Sequence, residues 1–463
     1  MTLPMTQSTN SLMQGGLTGS MFSTSAMQAV FSDAASIARM LDVEAALARA
    51  EAAHQVIPAT AVEAIVACCD VAQIDLPALA AAAGAAGNLA IPLVKQLTAR
   101  VAATDAEAAK FVHWGATSQD ILDTALVLQL RAALDLIDAD VNALANALAA
   151  LAQTHRDTLL VGRTWLQHAL PMTFGLKAAG WLDAVLRHQD RLAALRPRVL
   201  LLQFGGATGT LASLGDHGLD VATTLAAHLD LALPDMPWHT QRDGVAEVAT
   251  VLGLLVGTLG KMARDLSLHM QTDVGELAEP AAPGRGGSST MPHKRNPVAC
   301  AVALAAAVRV PGLVSTMLSG MVQEHERALG GWQAEWDTLP QIVQLAAGAL
   351  QQMQFVAAGL VVDVDRMRSN IDATHGQIMA EAVTLALGSK IGRMAAHQLV
   401  ERACRQASDS GQHLQHLLAS QTQVTDHLSA AALRELFDPA GYTGASGVFV
   451  DQVLTSHRAR CAH

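Results

Sequence analysis

At 463 residues the chain is too long for one simple core, so two or three domains are expected. Its residues are 51% hydrophobic but only 3% aromatic, and most of the apolar share is Ala and Leu, strong helix formers, so an all-α protein follows. A formal net charge of -11 without Lys/Arg runs excludes a nucleic-acid binder, which needs a concentrated basic surface.

In chain order, the Ser/Thr/Met-rich start lacks a basic region followed by an apolar core, which predicts a disordered lead-in, no signal peptide and a cytoplasmic protein. Cys68, Cys69, Cys300, Cys404 and Cys461 form no C-x-x-C pair and read as free thiols of a reducing compartment. Ser32 to His54 is a capped amphipathic helix, and Ala-rich helices end near Gly84 and Gly87. From Gln119 to Asp157 there is neither Gly nor Pro, and apolar residues recur at 134, 137, 141, 144, 148 and 151. Those alternating steps of three and four make a bundle seam. Such a stretch reaches about 55 Å at the helical rise, so it needs long neighbours.

The neighbours are Met172 to Arg196, Asp243 to Glu279, Val298 to Ser319 with Pro311 as a bend point, and Glu335 to Val361. Thr338 to Val362 is uncharged, but Pro340 and five glutamines would be penalised in hydrocarbon, so a buried helix at a subunit interface is expected there and no membrane span. The long helices lie between about Ala116 and Asp363. Three domains result: an N-terminal helical domain over 1–115, a central long-helix bundle over 116–363 and a small helical domain over 364–463. The last contains Val364 to Asp372, His375 to Leu387, Ile391 to Ser408 and a weaker tail.

One stretch breaks the helical pattern. Pro283 to Pro297 carries four prolines or glycines before Ser288 and two prolines after it, and must be a loop. The bland reading is a flexible connector. Against it, the loop joins two core helices, mixes Ser, His, Lys, Arg and Asn within ten residues, and ends on a proline suited to start the next helix. Its backbone N–H groups suit an anion nest, with Lys294 as the fixed positive charge.

The run Gly287-Ser-Ser-Thr-Met-Pro-His-Lys-Arg-Asn-Pro297 resembles the signature of the fumarase/aspartase superfamily, which holds fumarase, argininosuccinate lyase, adenylosuccinate lyase and lactonising cycloisomerases. His113-Trp-Gly-Ala-Thr-Ser-Gln-Asp120 and Gly162-Arg-Thr-Trp-Leu-Gln-His168 resemble its other two blocks, in the expected order. The resemblance implies a homotetramer whose central bundle is pooled from four chains, with each site shared between three subunits. It implies that Ser288 moves the proton on the carbon next to a carboxylate, while Lys294 and Asn296 hold the resulting dianion. The chemistry agrees: a proton leaving that carbon puts two negative charges on one carboxyl group, so preorganised positive dipoles matter most.

Substrate contacts are expected from Asn88, His113, Thr117, Ser118, Arg163, Thr164, Trp165, Gln167, Arg242, Ser289, Met291 and Arg327. Thr117 or Ser118 also fits a purely structural helix cap, with Asp120 in the first turn. Arg242 beside Gln241 looks the better carboxylate fork, whereas Arg295 and Arg327 equally fit structural ion pairs. His168 and His239 more often belong to a core or rim. No cluster has metal-ligand spacing, so no metal and no cofactor are assigned.

The second block departs from most of the superfamily. Trp165 stands where a histidine acts as acid for the leaving group, and Ala301 stands where its glutamate partner is expected. A carboxylate leaving group needs no such acid, so joint loss of both partners points to the lactonising branch, and the resemblance to that branch implies a tricarboxylate substrate. The alternatives are a C–N lyase of the adenylosuccinate lyase type, which needs that acid, and a non-catalytic crystallin-like member.

Overall fold

The structure is a computed structural model and describes residues 16–461. The expected lead-in falls largely before residue 16, outside the described residues. Helices dominate, as the Ala/Leu composition requires. The first long one, α1 (Asp33–Ala53), begins where Ser32 accepts a hydrogen bond from the Ala35 N–H at 3.2 Å, with Asp33 favourably placed in the first turn. The longest, α2 (Ser118–Thr154), runs 37 residues without an interruption. It is followed by a hairpin of β1 (Leu159–Thr164) and β2 (Gln167–Thr173), then by α3 (Phe174–Val199) and α4 (Asp243–His269). Next come α5 (Val298–Gly320) and α6 (Gly331–Gly359), with Pro311 and Pro340 inside them. Among the smaller helices, Val364–Asp372 starts on an Asp363 cap, and Ala380–Ile391 and Arg393–Ser410 follow it.

Two differences from the sequence reading have local causes. The helix expected to reach Glu279 stops at His269, because the chain turns through Gly275, at φ 63°, and pairs Leu277–Ala278 with Val361–Val362. The segment before α3 is an antiparallel hairpin, with Leu159 opposite Thr173 and Thr164 opposite Gln167.

The chain divides into two compact units. The first contains the stretches up to 141, 188–260 and 302–351; the second contains 142–187, 261–301 and 352–463. In the first, α1 lays Ile37, Met40, Leu41 and Leu47 against Ile65, Leu93, Leu97, Ile121 and Leu225. Each fully buried side chain of this kind contributes roughly 1.5–3 kcal/mol. In the second, Val383, Leu387, Leu399, Val400, Leu414 and Leu418 form one core, and Val161 of the hairpin joins Ile371, Ile378 and Met379 in another. By length and composition α4 and α5 are apolar enough to cross a membrane, yet most of the apolar window of α4 is buried by the protein itself. In α5 the larger part of that window is open, and Val308 is 80% exposed.

A close backbone approach fixes the N-terminal segment on α6. A Cβ added at Gly348 would lie 2.2 Å from the carbonyl oxygen of Phe22. Gly348→Ala is therefore expected to cost about 1–3 kcal/mol by overpacking, read as a lower midpoint in thermal denaturation. An unchanged midpoint would contradict this approach.

Candidate active site

In the first unit the 113–120 segment is held by carboxylates. Asp120, in the first turn of α2, accepts the N–H of Thr117 at 3.0 Å, of Gly205 at 3.0 Å and of Gly206 at 2.9 Å, and lies 2.7 Å from Nε2 of buried His239. A buried charge needs this many donors. One turn on, Asp123 receives Nη1 of Arg242 at 2.6 Å and the indole N–H of Trp332 at 3.0 Å. Glu335 binds the other side of the same guanidinium.

Thr117 occupies the cap position before α2, and Arg327 donates to its hydroxyl at 2.9 Å, to Gln119 Oε1 at 3.2 Å and to the Ala207 carbonyl at 3.1 Å. Ser118 opens the helix, and its hydroxyl has no hydrogen-bond partner among the described residues. Nδ1 of His113 lies 2.6 Å from Glu44. Oδ1 of Asn88 accepts the Ile91 N–H at 3.1 Å, a local turn contact.

In the second unit the 283–297 loop folds back on itself. Gly287 pairs with Arg295, and the Asn296 N–H donates to the Gly286 carbonyl at 2.8 Å. Gly286 sits at φ 69°, and a Cβ there would meet the Asn296 carbonyl oxygen at 2.8 Å, so the closure requires glycine. Inside it, Ser288 Oγ accepts the Met291 N–H at 3.1 Å and the Thr290 N–H at 3.4 Å. Two backbone dipoles thus point at this oxygen, an arrangement that favours negative charge on it. Ser289, Met291 and Lys294 are exposed around it and Asn296 is half-buried. The loop is anchored downstream by Glu279, whose carboxylate accepts the Ala299 and Cys300 N–H groups at 3.1 and 2.9 Å and so caps α5. Arg295 donates to the Glu279 carbonyl at 2.9 Å, the structural option for that residue.

The hairpin in the same unit carries Arg163, Thr164, Trp165 and Gln167. Arg163 makes a two-pronged contact with Glu276, at 2.7 and 2.9 Å. His269 Nδ1 at 2.6 Å and Asn370 Nδ2 at 2.7 Å complete the shell of that carboxylate. Burial pushes the Glu276 carboxyl up, but hydrogen bonds from His269, Arg163 and Asn370 outweigh it and hold it down at about 2. Trp165 and Leu166 make the two-residue turn, both at positive φ, 53° and 64°. Trp165 is 97% exposed at this tip, and Thr164 and Gln167 are exposed beside it. Among the described residues no hydrogen bond joins the hairpin tip to the 283–297 loop.

A profile described as "Lyase" matches residues 20–312, and one described as "Adenylosuccinate lyase C-terminus" matches 376–453. The chain belongs to this lyase family. The lyase is 57% identical to a 3-carboxy-cis,cis-muconate cycloisomerase of Pseudomonas aeruginosa over 95% of both chains. It is 56% identical to one of Bradyrhizobium diazoefficiens over 94% of this chain and 97% of the other. A crystal structure of the 3-carboxy-cis,cis-muconate lactonizing enzyme from Pseudomonas putida superposes with a TM-score of 0.91 at 52% identity, covering 96% of this chain and 99% of that one. The fold is therefore of the fumarase/aspartase type.

Two arginines expected to contact substrate are paired with carboxylates of their own unit. Arg242 is 2% exposed and spent on Asp123 and Glu335, and Arg163 is spent on Glu276. The Arg242 guanidinium, neutralised on both edges, has no fork left for a ligand, which corrects its reading as a carboxylate fork. Asp120, Asp123, Glu276, Glu279 and Glu335 were not assigned these anchoring roles from sequence. The one readable signal for Asp120, Asp123 and Glu335 is a carboxylate set in a helical run, and Glu276 and Glu279 have none.

Ser288→Ala in the lyase is expected to lower kcat by about a hundred- to ten-thousand-fold with an unchanged circular dichroism spectrum. A near-normal rate would remove Ser288 from the chemistry. Glu276, held near 2 against an ordinary 4.5, contributes stability that is present above pH 4.5 and lost as pH falls through about 2. Glu276→Gln is accordingly expected to flatten the fall in denaturation midpoint across that window. A slope equal to that of the parent protein would contradict the assignment.

Proposed function

We propose that this lyase is a cycloisomerase that converts 3-carboxy-cis,cis-muconate to 4-carboxymuconolactone. One carboxylate of the open-chain substrate adds to the diene, forming the ring C–O bond and leaving an aci-carboxylate dianion on the neighbouring carboxyl group. The Ser288 hydroxyl then gives its proton to the adjacent carbon, and the alkoxide so formed is sheltered by the N–H groups of Thr290 and Met291 until solvent returns a proton. Lys294 and Asn296 hold the dianion. Ser289, Met291, Thr117, Ser118, His113, Asn88, Thr164 and Gln167 contact the substrate.

The observation that carries this reading is the pair Trp165 and Ala301. Where other branches of the superfamily resemble one another in a histidine and a glutamate that protonate a leaving group, this chain has an indole and a methyl. Ring closure by a carboxylate needs no second proton donor, whereas expulsion of a nitrogen group does. The names of the relatives support the same choice.

The protein works in the cytoplasm as a homotetramer, with each site drawing on three subunits. Supporting this, the α5 face around Val308 and the Trp165–Leu166 tip are apolar and open in the single chain, and burying them needs a neighbour. Trp165 then excludes water from the site of a neighbouring subunit and shapes it to a flat diene.

The assay offers purified protein 3-carboxy-cis,cis-muconate and adenylosuccinate in parallel. Loss of diene absorbance with the first and no fumarate from the second is expected. Fumarate release with the diene untouched would overturn the reading in favour of a C–N lyase, and no change with either would favour a non-catalytic member.

A further inference from the structure

Glu44 lies on the buried face of α1, with its side chain 1% exposed, and reaches across the core of the first unit to His113. The two groups meet at 2.6 Å through Nδ1 of the ring. His113 itself adopts the left-handed region at φ 60°, so the backbone of the 113–120 segment is turned to present the ring to this carboxylate. Its other nitrogen, Nε2, has no hydrogen-bond partner among the described residues.

We propose that Glu44 is a positioning residue for the lactonisation: it holds the His113 ring through Nδ1, so that Nε2–H donates to a substrate carboxylate. The proposal rests on the reading of His113 as a substrate contact. A carboxylate at Nδ1 determines which nitrogen is left for the ligand and stabilises the imidazolium. The surroundings favour that form. Burial alone would lower the affinity of His113 for a proton, but Glu44 and, from α2, Asp120 outweigh it and raise its pKa.

The remaining titratable groups beside Glu44 do not compete for the ring. Glu51, two turns along α1, is pushed up to about 9 by burial and by Glu44, and is neutral at neutral pH. Cys69 is pushed up to about 12 by burial and by the same carboxylate. Glu44 is thus the carboxylate of this cluster that meets the ring.

The test is a pH series of kcat and KM for the full chain and for Glu44→Gln, His113→Asn and the double variant. In the parent protein kcat/KM falls as pH rises through the raised value of His113, because the charged donor is lost there. In Glu44→Gln this alkaline limb moves to lower pH, and between the two limbs KM rises about tenfold or more, the worth of one charge-assisted hydrogen bond, while kcat changes by less than about threefold. The double variant is expected to match His113→Asn, since Glu44 acts through the ring.

An unmoved alkaline limb in folded Glu44→Gln, with KM raised in His113→Asn, overturns the proposal alone. An unchanged KM in His113→Asn overturns the underlying reading of His113 and the proposal with it. Should Glu44→Gln fail to fold, the parent protein labelled with 13C at histidine Cε1 supplies the readout, with His113 assigned from the peak missing in His113→Asn. Titration of His113 above the ordinary 6.5 supports the proposal, and titration at or below it refutes it.

Discussion

A carboxylate taken out of water must be met by donors, and this requirement organises both units of the chain. Asp120 draws the 205–206 backbone, His239 and the turn before α2 onto one pair of oxygens. Asp123 and Glu335 do the same around Arg242. In the second unit Glu276 ties the hairpin to Asn370, and Glu279 caps the helix that follows the serine loop. None of these charges is tolerable alone in an apolar interior, so each segment is held where its partner requires it. The result is a set of loops and helix ends placed by buried carboxylates, while Ser288 makes only hydrogen bonds local to its own loop.

The proton transfer proposed for Ser288 draws on that division. Its loop is closed by backbone contacts and by Gly286, and the hydroxyl oxygen receives N–H dipoles from residues two and three further on. No ion pair is spent on it. Any charge that develops on this oxygen meets donors already in place, so the proposed step needs little reorganisation.

Much of the helical frame was legible in the chain. The unbroken run after Gln119 became α2, Ser32 capped α1, and Val364 to Asp372 forms the helix read from its pattern. The 159–173 hairpin was not legible, since tight two-residue turns usually announce themselves with Asn-Gly or Asp-Gly, and this one uses Trp165 and Leu166 at positive φ. The role of Arg242 was hidden for another reason: Asp123 and Glu335 lie 119 and 93 residues away in sequence, so no local spacing reveals the pair. The serine loop stood out because its composition contradicts the helices around it, a signal that survives without knowledge of any contact.

The account comes down to one proton delivered to carbon without help from a second acid. Turnover of 3-carboxy-cis,cis-muconate in D2O, with the lactone analysed by mass spectrometry and NMR, tests it most directly. The expected product carries a single deuterium on the carbon next to the carboxylate, placed on one face. A lactone free of deuterium, or with label spread over both faces, would contradict proton delivery by a fixed hydroxyl.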